Sequence, residues 1–391
     1  MKTLFFLVCT FLCAQTEPST PLVIGKKYTI SSSVLGENKE IYISLPHKYD
    51  ERVHSYPIIF VLEAEFLFNS ASNIAHFMAA RSKMPQSIIV GLANGEYKKR
   101  NELTFRKWNG IPEKYIEFFN KELIPHIESN YRANKHRTLV GLSPTTGFVI
   151  EAMLDHPKMF NAYILLSAHF EWQRSKNNVF VDELIAKTSE KNYPNVPIYF
   201  SRADSDLNDM KEVKRSFEEA SEKIKKAKNI KANIVIDVLK DEEHYLMALA
   251  GLRNGFKHIY PNHLWRNPGI FGWDKAYDYA GMYYKSYYDN LSKQYGFDIY
   301  PVEDGHAYGF HLTGMIHNAK RWGTEKQTVD LIHLGLTYYP NSAHLNMLLA
   351  EYYAKKNKLT EAKEYAEKAV ELVKLFNPSQ LNTYLEKQNA F

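Results

Sequence analysis

The stretch Leu139-Val-Gly-Leu-Ser-Pro-Thr-Thr-Gly147 decides how this chain is read. A short apolar strand, Thr138 to Val140, runs into Gly141-Leu142-Ser143, and a helix-like apolar run from Phe148 to Leu154 follows. A serine on a sharp turn between strand and helix is the setting of a nucleophile elbow. The turn lifts the hydroxyl above the sheet edge, and the helix start faces a developing oxyanion. The residue after the serine is Pro144, which carries no backbone N–H. In that setting this N–H is normally one of two oxyanion donors. One stretch therefore predicts a nucleophile and the loss of part of its support.

The sequence on either side supplies the sheet. Tyr28 to Ser33 and Lys39 to Leu45 alternate like paired strands, closed by Pro46. Tyr56-Pro-Ile-Ile-Phe-Val-Leu62 is continuously apolar, which suits a strand covered on both faces of a parallel sheet. Ser87 to Leu92 is similar, and Ile111 to Asn130 has helical spacing through Tyr115, Phe118, Phe119, Leu123 and Ile127. Beyond the elbow, Ala162 to Ser167, Pro197 to Arg202 and Ile230 to Leu239 read as strands, separated by a charged amphipathic helix from Asn208 to Lys228. A last helix runs from about Ala248 to Tyr260. Strands alternating with helices predict an α/β fold with a mostly parallel central sheet.

A serine needs a base to take its proton. His244 follows the last strand and the acidic loop Lys240-Asp-Glu-Glu243, and precedes the last helix. It is the candidate base; His258 is the alternative, but its spacing places it inside a helix. A carboxylate should orient the base from the loop after Pro197 to Arg202. That loop offers Asp204, Asp206 and Asp209. Asp206 is preferred, then Asp204, with a helix cap as the role of whichever is not catalytic. Trp172 follows a strand and either stacks on a sugar or aryl group or merely packs. No His/Asp cluster has metal-ligand spacing, so no metal or cofactor is expected; His306 and His311 read as linker surface.

The 391 residues suffice for two domains. The net charge of +5 comes from intermixed signs and gives no case for nucleic-acid binding. Residues 1–15 look like a secretory signal: Lys2, an apolar run from Leu4 to Leu12, then polar Gln15-Thr-Glu-Pro18. That run is too short to span a bilayer, and the expected location is secreted or periplasmic. The only cysteines, Cys9 and Cys13, fall inside the segment, so the mature chain has no disulfide or thiol site.

After Tyr260 a Pro-, Asn-, Gly- and Trp-rich loop leads into sequence with no strand signal. The organisation read is a 20–262 catalytic domain, a 263–308 helical linker and 309–391 helical repeats. Two windows match at a spacing of 34 residues: Met315, Gly323, Ile332, Gly335 and Pro340 share phases with Leu349, Asn357, Ala366, Ala369 and Lys374. Ala362 and Ala369 fall where a tetratricopeptide repeat needs small residues, although Thr328 stands where alanine is expected. Such a tail would present a concave surface to a protein partner or a second copy of the chain.

Several blocks together carry a family resemblance. They are Ile43-Ser-Leu-Pro-His-Lys-Tyr-Asp50, Tyr56-Pro-Ile-Ile-Phe-Val-Leu-Glu-Ala-Glu65, Pro85-Gln-Ser-Ile-Ile-Val-Gly91, Glu122-Leu-Ile-Pro-His-Ile-Glu128, Arg137-Thr-Leu-Val-Gly-Leu-Ser143 and His156-Pro-Lys-Met-Phe160. Over roughly residues 25–260 the chain resembles the Putative esterase family of α/β-hydrolases. That family includes enterochelin and feruloyl esterases, acetyl-xylan esterases, esterase D and the mycolyltransferases. The resemblance implies an α/β-hydrolase fold and cleavage of a small-molecule or carbohydrate-linked ester through an acyl-enzyme at Ser143. It further implies a second oxyanion donor from the backbone of Ala64 or Glu65. The family's Gly-His-Ser-x-Gly-Gly is Gly141-Leu-Ser-Pro-Thr-Thr146 here, and its Asp-Gly is Glu63-Ala64. Two readings follow: a serine esterase in which a Thr145 or Thr146 hydroxyl replaces the missing donor, or a degenerate hydrolase that binds a ligand or partner.

Overall fold

The structure, a computed structural model, describes residues 21–175, 178–266, 280–304 and 311–391. The signal-segment reading with Cys9 and Cys13, and His306, lie outside the described residues.

The strands are β1 (Lys26–Ser32), β2 (Glu37–Ser44), β3 (Tyr56–Leu62), β4 (Ile88–Leu92), β5 (Ala133–Leu142), β6 (Ala162–Leu166), the short hairpin β7 (Gln173–Ser175) and β8 (Asn178–Val179), β9 (Pro197–Ala203) and β10 (Asn233–Leu239). The helices are α1 (Ala64–Ala80), α2 (Pro112–Phe118), α3 (Ile124–Asn130), α4 (Thr146–Asp155), α5 (Phe180–Thr188), α6 (Asp204–Asp209), α7 (Lys211–Lys226), α8 (Met247–Ile259), α9 (Ala280–Tyr295), α10 (Leu312–Trp322), α11 (Glu325–Tyr338), α12 (Ala343–Lys355), α13 (Leu359–Phe376) and α14 (Leu381–Gln388). One eight-stranded sheet runs in the order β1-β2-β4-β3-β5-β6-β9-β10. The pairs β1–β2 and β2–β4 are antiparallel, and every pair from β4 to β10 is parallel. This is the α/β-hydrolase arrangement.

β3 is buried along its whole length, as a continuous apolar run requires. β5 begins at Ala133, ahead of the expected Thr138, because Ala133 already pairs with Tyr56. The register shifts between Tyr56 and Ile58, where Pro57 has no N–H for the ladder. The single helix expected over Ile111–Asn130 is α2 and α3 joined by a π turn, Phe119–Leu123. Pro125 in the first turn of α3 cannot donate to the helical ladder, and the wider turn ahead of it accommodates that loss. The charged helix starts at Asp204 rather than Asn208 and breaks at Met210, whose backbone is extended.

A large core lies on one face of the sheet, against α2, α4, α5 and α7. The core on the other face joins α1 and α8 and continues without a break through Trp265, Tyr284, Tyr288 and Leu291 to Leu312, Leu331 and Leu345. The helical tail therefore completes a core that the sheet begins. Its seam meets the chain just ahead of β3. Arg52 pairs with Glu303, both buried, and lies 4.4 Å over the Tyr339 ring. His54 Nε2 donates to Tyr338 O at 2.6 Å, and its ring stacks on Tyr300 at 3.9 Å. Residues before β3 lie at the edge where the parallel strands begin. The tail is thus docked at the opposite end of the sheet from the turn that follows β5.

Candidate active site

β5 ends at Leu142, and Ser143–Thr145 forms a 3-10 turn leading into α4. Ser143 has φ +53°, a left-handed conformation that a non-glycine residue rarely adopts. The strand and helix approach closely at Gly141, where a Cβ would sit 2.7 Å from Val149 Cγ2. The two threonines that follow Pro144 fasten the turn. Thr145 Oγ1 accepts from Leu142 N at 2.9 Å and is within 3.0 Å of both Glu63 Oε1 and Leu142 O. Thr146 Oγ1 donates to Ser143 O at 2.6 Å. A hydroxyl has one proton, and each of these has a partner already: Ser143 O for Thr146, and Glu63 or Leu142 O for Thr145. The expectation that a threonine hydroxyl replaces the donor removed by Pro144 is not met in this arrangement.

Ser143 Oγ lies 2.8 Å from His244 Nε2, and His244 Nδ1 lies 2.8 Å from Asp206 Oδ2. Arg202 Nε donates to the same carboxylate oxygen at 2.7 Å. Burial pushes the Asp206 carboxyl upward, but the His244 hydrogen bond and the Arg202 charge outweigh it and hold it below its ordinary value. Asp204, the other acid considered, instead accepts the backbone N–H groups of Asp241 and Glu242 at 3.0 and 3.2 Å. It thereby ties down the loop that presents His244. Ser167 Oγ donates to His244 O at 2.9 Å, fixing the loop from the other side. Asp209 is exposed at the end of α6. His258 Nε2 donates to Asn233 O at the far end of β10 and takes no part.

Ala64 and Glu65 open α1, where the first backbone N–H groups have no carbonyl within the helix to bond. Glu63 precedes them in a left-handed conformation, φ +61°. Its buried carboxylate takes Arg100 Nε at 2.7 Å as well as Thr145, so it links the first loop to the elbow. Burial holds the Glu63 carboxyl above its ordinary value. Beside it opens a cavity of 410 Å³ lined by Glu65, Phe66, Asn94, Arg100 and Tyr245 among others. Tyr245 packs edge-on to His244 with ring centroids 4.7 Å apart, so one side chain separates the cavity from that histidine. Its aromatic wall and acidic rim suit a small ligand with an apolar body.

Sequence reasoning did not single out two residues at this site. His169 Nε2 is 3.3 Å from Ser143 Oγ, and Glu171 Oε1 is 2.7 Å from His169 Nδ1. Trp172 stacks on the His169 ring at 3.9 Å and on Trp108 at 5.3 Å. The available signal was position: this segment directly follows β6, at the edge where the parallel strands end and ligands bind. Among the described residues there is no group of three or more metal-ligating side chains, and His311 Nδ1 caps α10 by accepting from Gly314 N.

Residues 32–251 match the family model described as Putative esterase, more than half of the chain. The chain belongs to that family. Ferri-bacillibactin esterase BesA of Bacillus subtilis is 24% identical over 163 residues, which cover 36% of this chain and 56% of BesA. The chain thus matches little more than half of that relative's length. Among solved structures, an IroE-like serine hydrolase from Shewanella oneidensis superposes with a TM-score of 0.62 at 19% identity, covering 80% of this chain and 99% of its own. An uncharacterised protein from Capnocytophaga ochracea gives 0.58 at 18% identity, covering 94% of this chain and 100% of its own. At these identities the likeness is one of fold, and the second likeness extends over the helical tail.

Proposed function

We propose that this chain is a carboxylic-ester hydrolase working through an acyl-enzyme at Ser143. The observation that carries the reading is the unbroken chain of contacts from Ser143 through His244 to Asp206, each 2.8 Å. Ser143 Oγ attacks the ester carbonyl carbon while its proton passes to His244 Nε2. Asp206 holds the Nδ1–H and stabilises the imidazolium. The tetrahedral intermediate collapses, the alkoxy group leaves and takes the proton from His244. Water then repeats the cycle on the acyl group, releasing the acid and restoring the serine. The start of α1 faces the developing oxyanion with the N–H of Ala64 or Glu65, supplemented by the positive end of α4.

The substrate class is a small-molecule ester. The names of BesA and of the siderophore hydrolase EstB from Aspergillus nidulans, which shares the fold at a TM-score of 0.54, favour a siderophore-type ester. The cavity beside Tyr245 and Phe66 fits an aryl group, and Trp172 is a second stacking surface. Residues 1–15 are read as a cleaved signal, giving a secreted or periplasmic enzyme. No described helix is long and apolar enough to cross a membrane. Helices α10–α13 are read as two tetratricopeptide-like pairs with a face for a protein partner or a second copy of the chain. Buried Ala362, Ala366 and Ala369 support that packing.

The second reading, a binding module with little turnover, is favoured by Pro144 alone. Steady-state hydrolysis of p-nitrophenyl acetate separates the two. The parent protein is expected to turn over, and Ser143→Ala and His244→Ala to lose most of the rate. A parent rate equal to that of Ser143→Ala selects the binding module.

A further inference from the structure

Ser143 stands between two imidazoles. His244 Nε2 is 2.8 Å from its hydroxyl and His169 Nε2 is 3.3 Å away, with the two ring centroids 5.9 Å apart. Each ring has its own carboxylate behind it: Asp206 Oδ2 at 2.8 Å from His244 Nδ1, and Glu171 Oε1 at 2.7 Å from His169 Nδ1. An ionised carboxylate only accepts hydrogen bonds. In its uncharged form each imidazole is thus favoured to carry its proton on Nδ1 and to turn an Nε2 lone pair toward the same hydroxyl. The serine has one proton, so at any moment one lone pair beside it is unused.

The second pair is built as firmly as the first. Arg202, almost fully buried, ties the two together. Its Nε donates to Asp206, and its Nη1 donates to Ala168 O at 2.7 Å and lies 3.5 Å from His169 Nδ1 and 3.8 Å from Glu171 Oε1. The Glu171 oxygen, at 2.7 Å, is the closer partner of Nδ1 and favours a proton there. The His169 ring is stacked on Trp172 with the planes 6° apart. Burial keeps its imidazole below the ordinary histidine range, so it is neutral and able to accept a proton at neutral pH. Glu171 is held low, because its bond to His169 and the Arg202 charge outweigh its burial.

Resting on the reading of Ser143 as an ester-cleaving nucleophile, we propose that His169, oriented by Glu171, is a second general base for Ser143. On this route the Ser143 Oγ–C bond forms as the hydroxyl proton moves to His169 Nε2. The imidazolium is held by Glu171, the ester C–O bond breaks, and the departing alkoxide recovers that proton. The longer contact makes His244 the first base and His169 the reserve.

A serine triad with one base loses about as much on removal of that base as on removal of the serine, ~10⁶-fold in a well-studied case. Two bases break this rule. The test is the rate at which a fluorophosphonate labels Ser143 in the full-length protein, with the site mapped by peptide mass and the fold checked by circular dichroism. His244→Ala is expected to label on Ser143 ~100-fold faster than His169→Ala/His244→Ala, the lower end of what a general base contributes. Glu171→Gln in the His244→Ala background should also slow labelling, and His169→Asn there, which keeps a polar planar side chain, should behave as His169→Ala. Equal labelling of His244→Ala and the double variant, with a fast parent, overturns the second base and leaves the proposed function standing. A parent that labels no faster than its own His169→Ala/His244→Ala variant removes the function itself, and this inference with it.

Discussion

At one edge of the sheet Arg202 holds Asp206, and Asp206 holds the histidine proposed to move a proton. At the other edge Arg52 holds Glu303, and that pair seats the helical tail beside Tyr339. Both are buried arginine–carboxylate pairs, and both carboxylates come from segments far from β3 in sequence or in space. The difference lies in what surrounds them. Around the serine, Glu63, Ser143, Ser167 and Asp241 all have positive φ, a conformation that costs non-glycine residues roughly 1–2 kcal/mol each. The docking seam meets the start of β3 through stacked and edge-on rings, His54 on Tyr300 and Tyr339. Four left-handed residues lie at and around the serine, while the seam carries one, Lys48, and packs His54 against two tyrosine rings. Breaking either buried pair should cost stability, but only the pair at the serine should change the rate of the folded protein.

The largest contrast is expected from Asp206→Asn. Without the carboxylate the His244 tautomer is no longer enforced, and kcat should fall ~10⁴-fold. Stability should fall as well, because buried Arg202 keeps only Ala168 O and the more distant Glu171 as partners, so kcat is read per folded molecule. A small rate loss would mean that Asp206 is only Arg202's structural partner. On the opposite edge, Arg52→Met leaves Glu303 buried without its cation, and unfolding stability should fall by about 3–5 kcal/mol. The kcat of the remaining folded protein should stay close to the parent. Denaturant melts with parallel ester assays read both quantities, and a rate loss without destabilisation would erase the contrast.

Pro144→Ala comes next in size. It returns an N–H to the elbow at a position inside a short helical turn, where alanine is well tolerated. Because the Thr145 and Thr146 hydroxyls already have acceptors in Glu63 or Leu142 O and in Ser143 O, the restored donor has no side-chain substitute to compete with. Activity should rise by up to ~100-fold, the lower end of what one oxyanion donor is worth. A clear rate loss with the fold intact would contradict the missing-donor account. The smallest effect concerns pH at the seam. Burial holds the His54 imidazole down at about 4. The unfolded chain therefore binds a proton that the folded chain refuses between its ordinary pKa and that value. Stability contributed by neutral His54 is fully present above pH 6.5 and is lost on acidification toward 4, by at most about 1.4 kcal/mol per pH unit. The melting temperature should fall between pH 7 and 5, and His54→Gln should flatten that slope.

Much of the sheet was legible because a strand covered on both faces has to be apolar throughout. Tyr56–Leu62 was read with the bounds it has. Ser143 and His244 stood out because each follows a strand and precedes a helix in the order that an α/β sheet needs. The choice between Asp204 and Asp206 was harder, since both sit in one turn and only their direction differs. One faces the 241–242 backbone and the other the imidazole. His169 and Glu171 were not legible, because nothing in a linear pattern tells that the loop after β6 folds back onto the turn after β5. The tail shows the same limit. Amphipathic helices announce an apolar face but not what covers it, and here the cover is shared with α1 and α8.

The central claim is that Ser143 becomes covalently acylated. Its most direct test is to mix the protein with p-nitrophenyl acetate, quench in acid within the first turnovers, and map the peptides by mass spectrometry. The account predicts one acetyl group on the peptide carrying Ser143, and none there in Ser143→Ala. Hydrolysis at an undiminished rate in Ser143→Ala, or acetyl found only on other peptides, would contradict it.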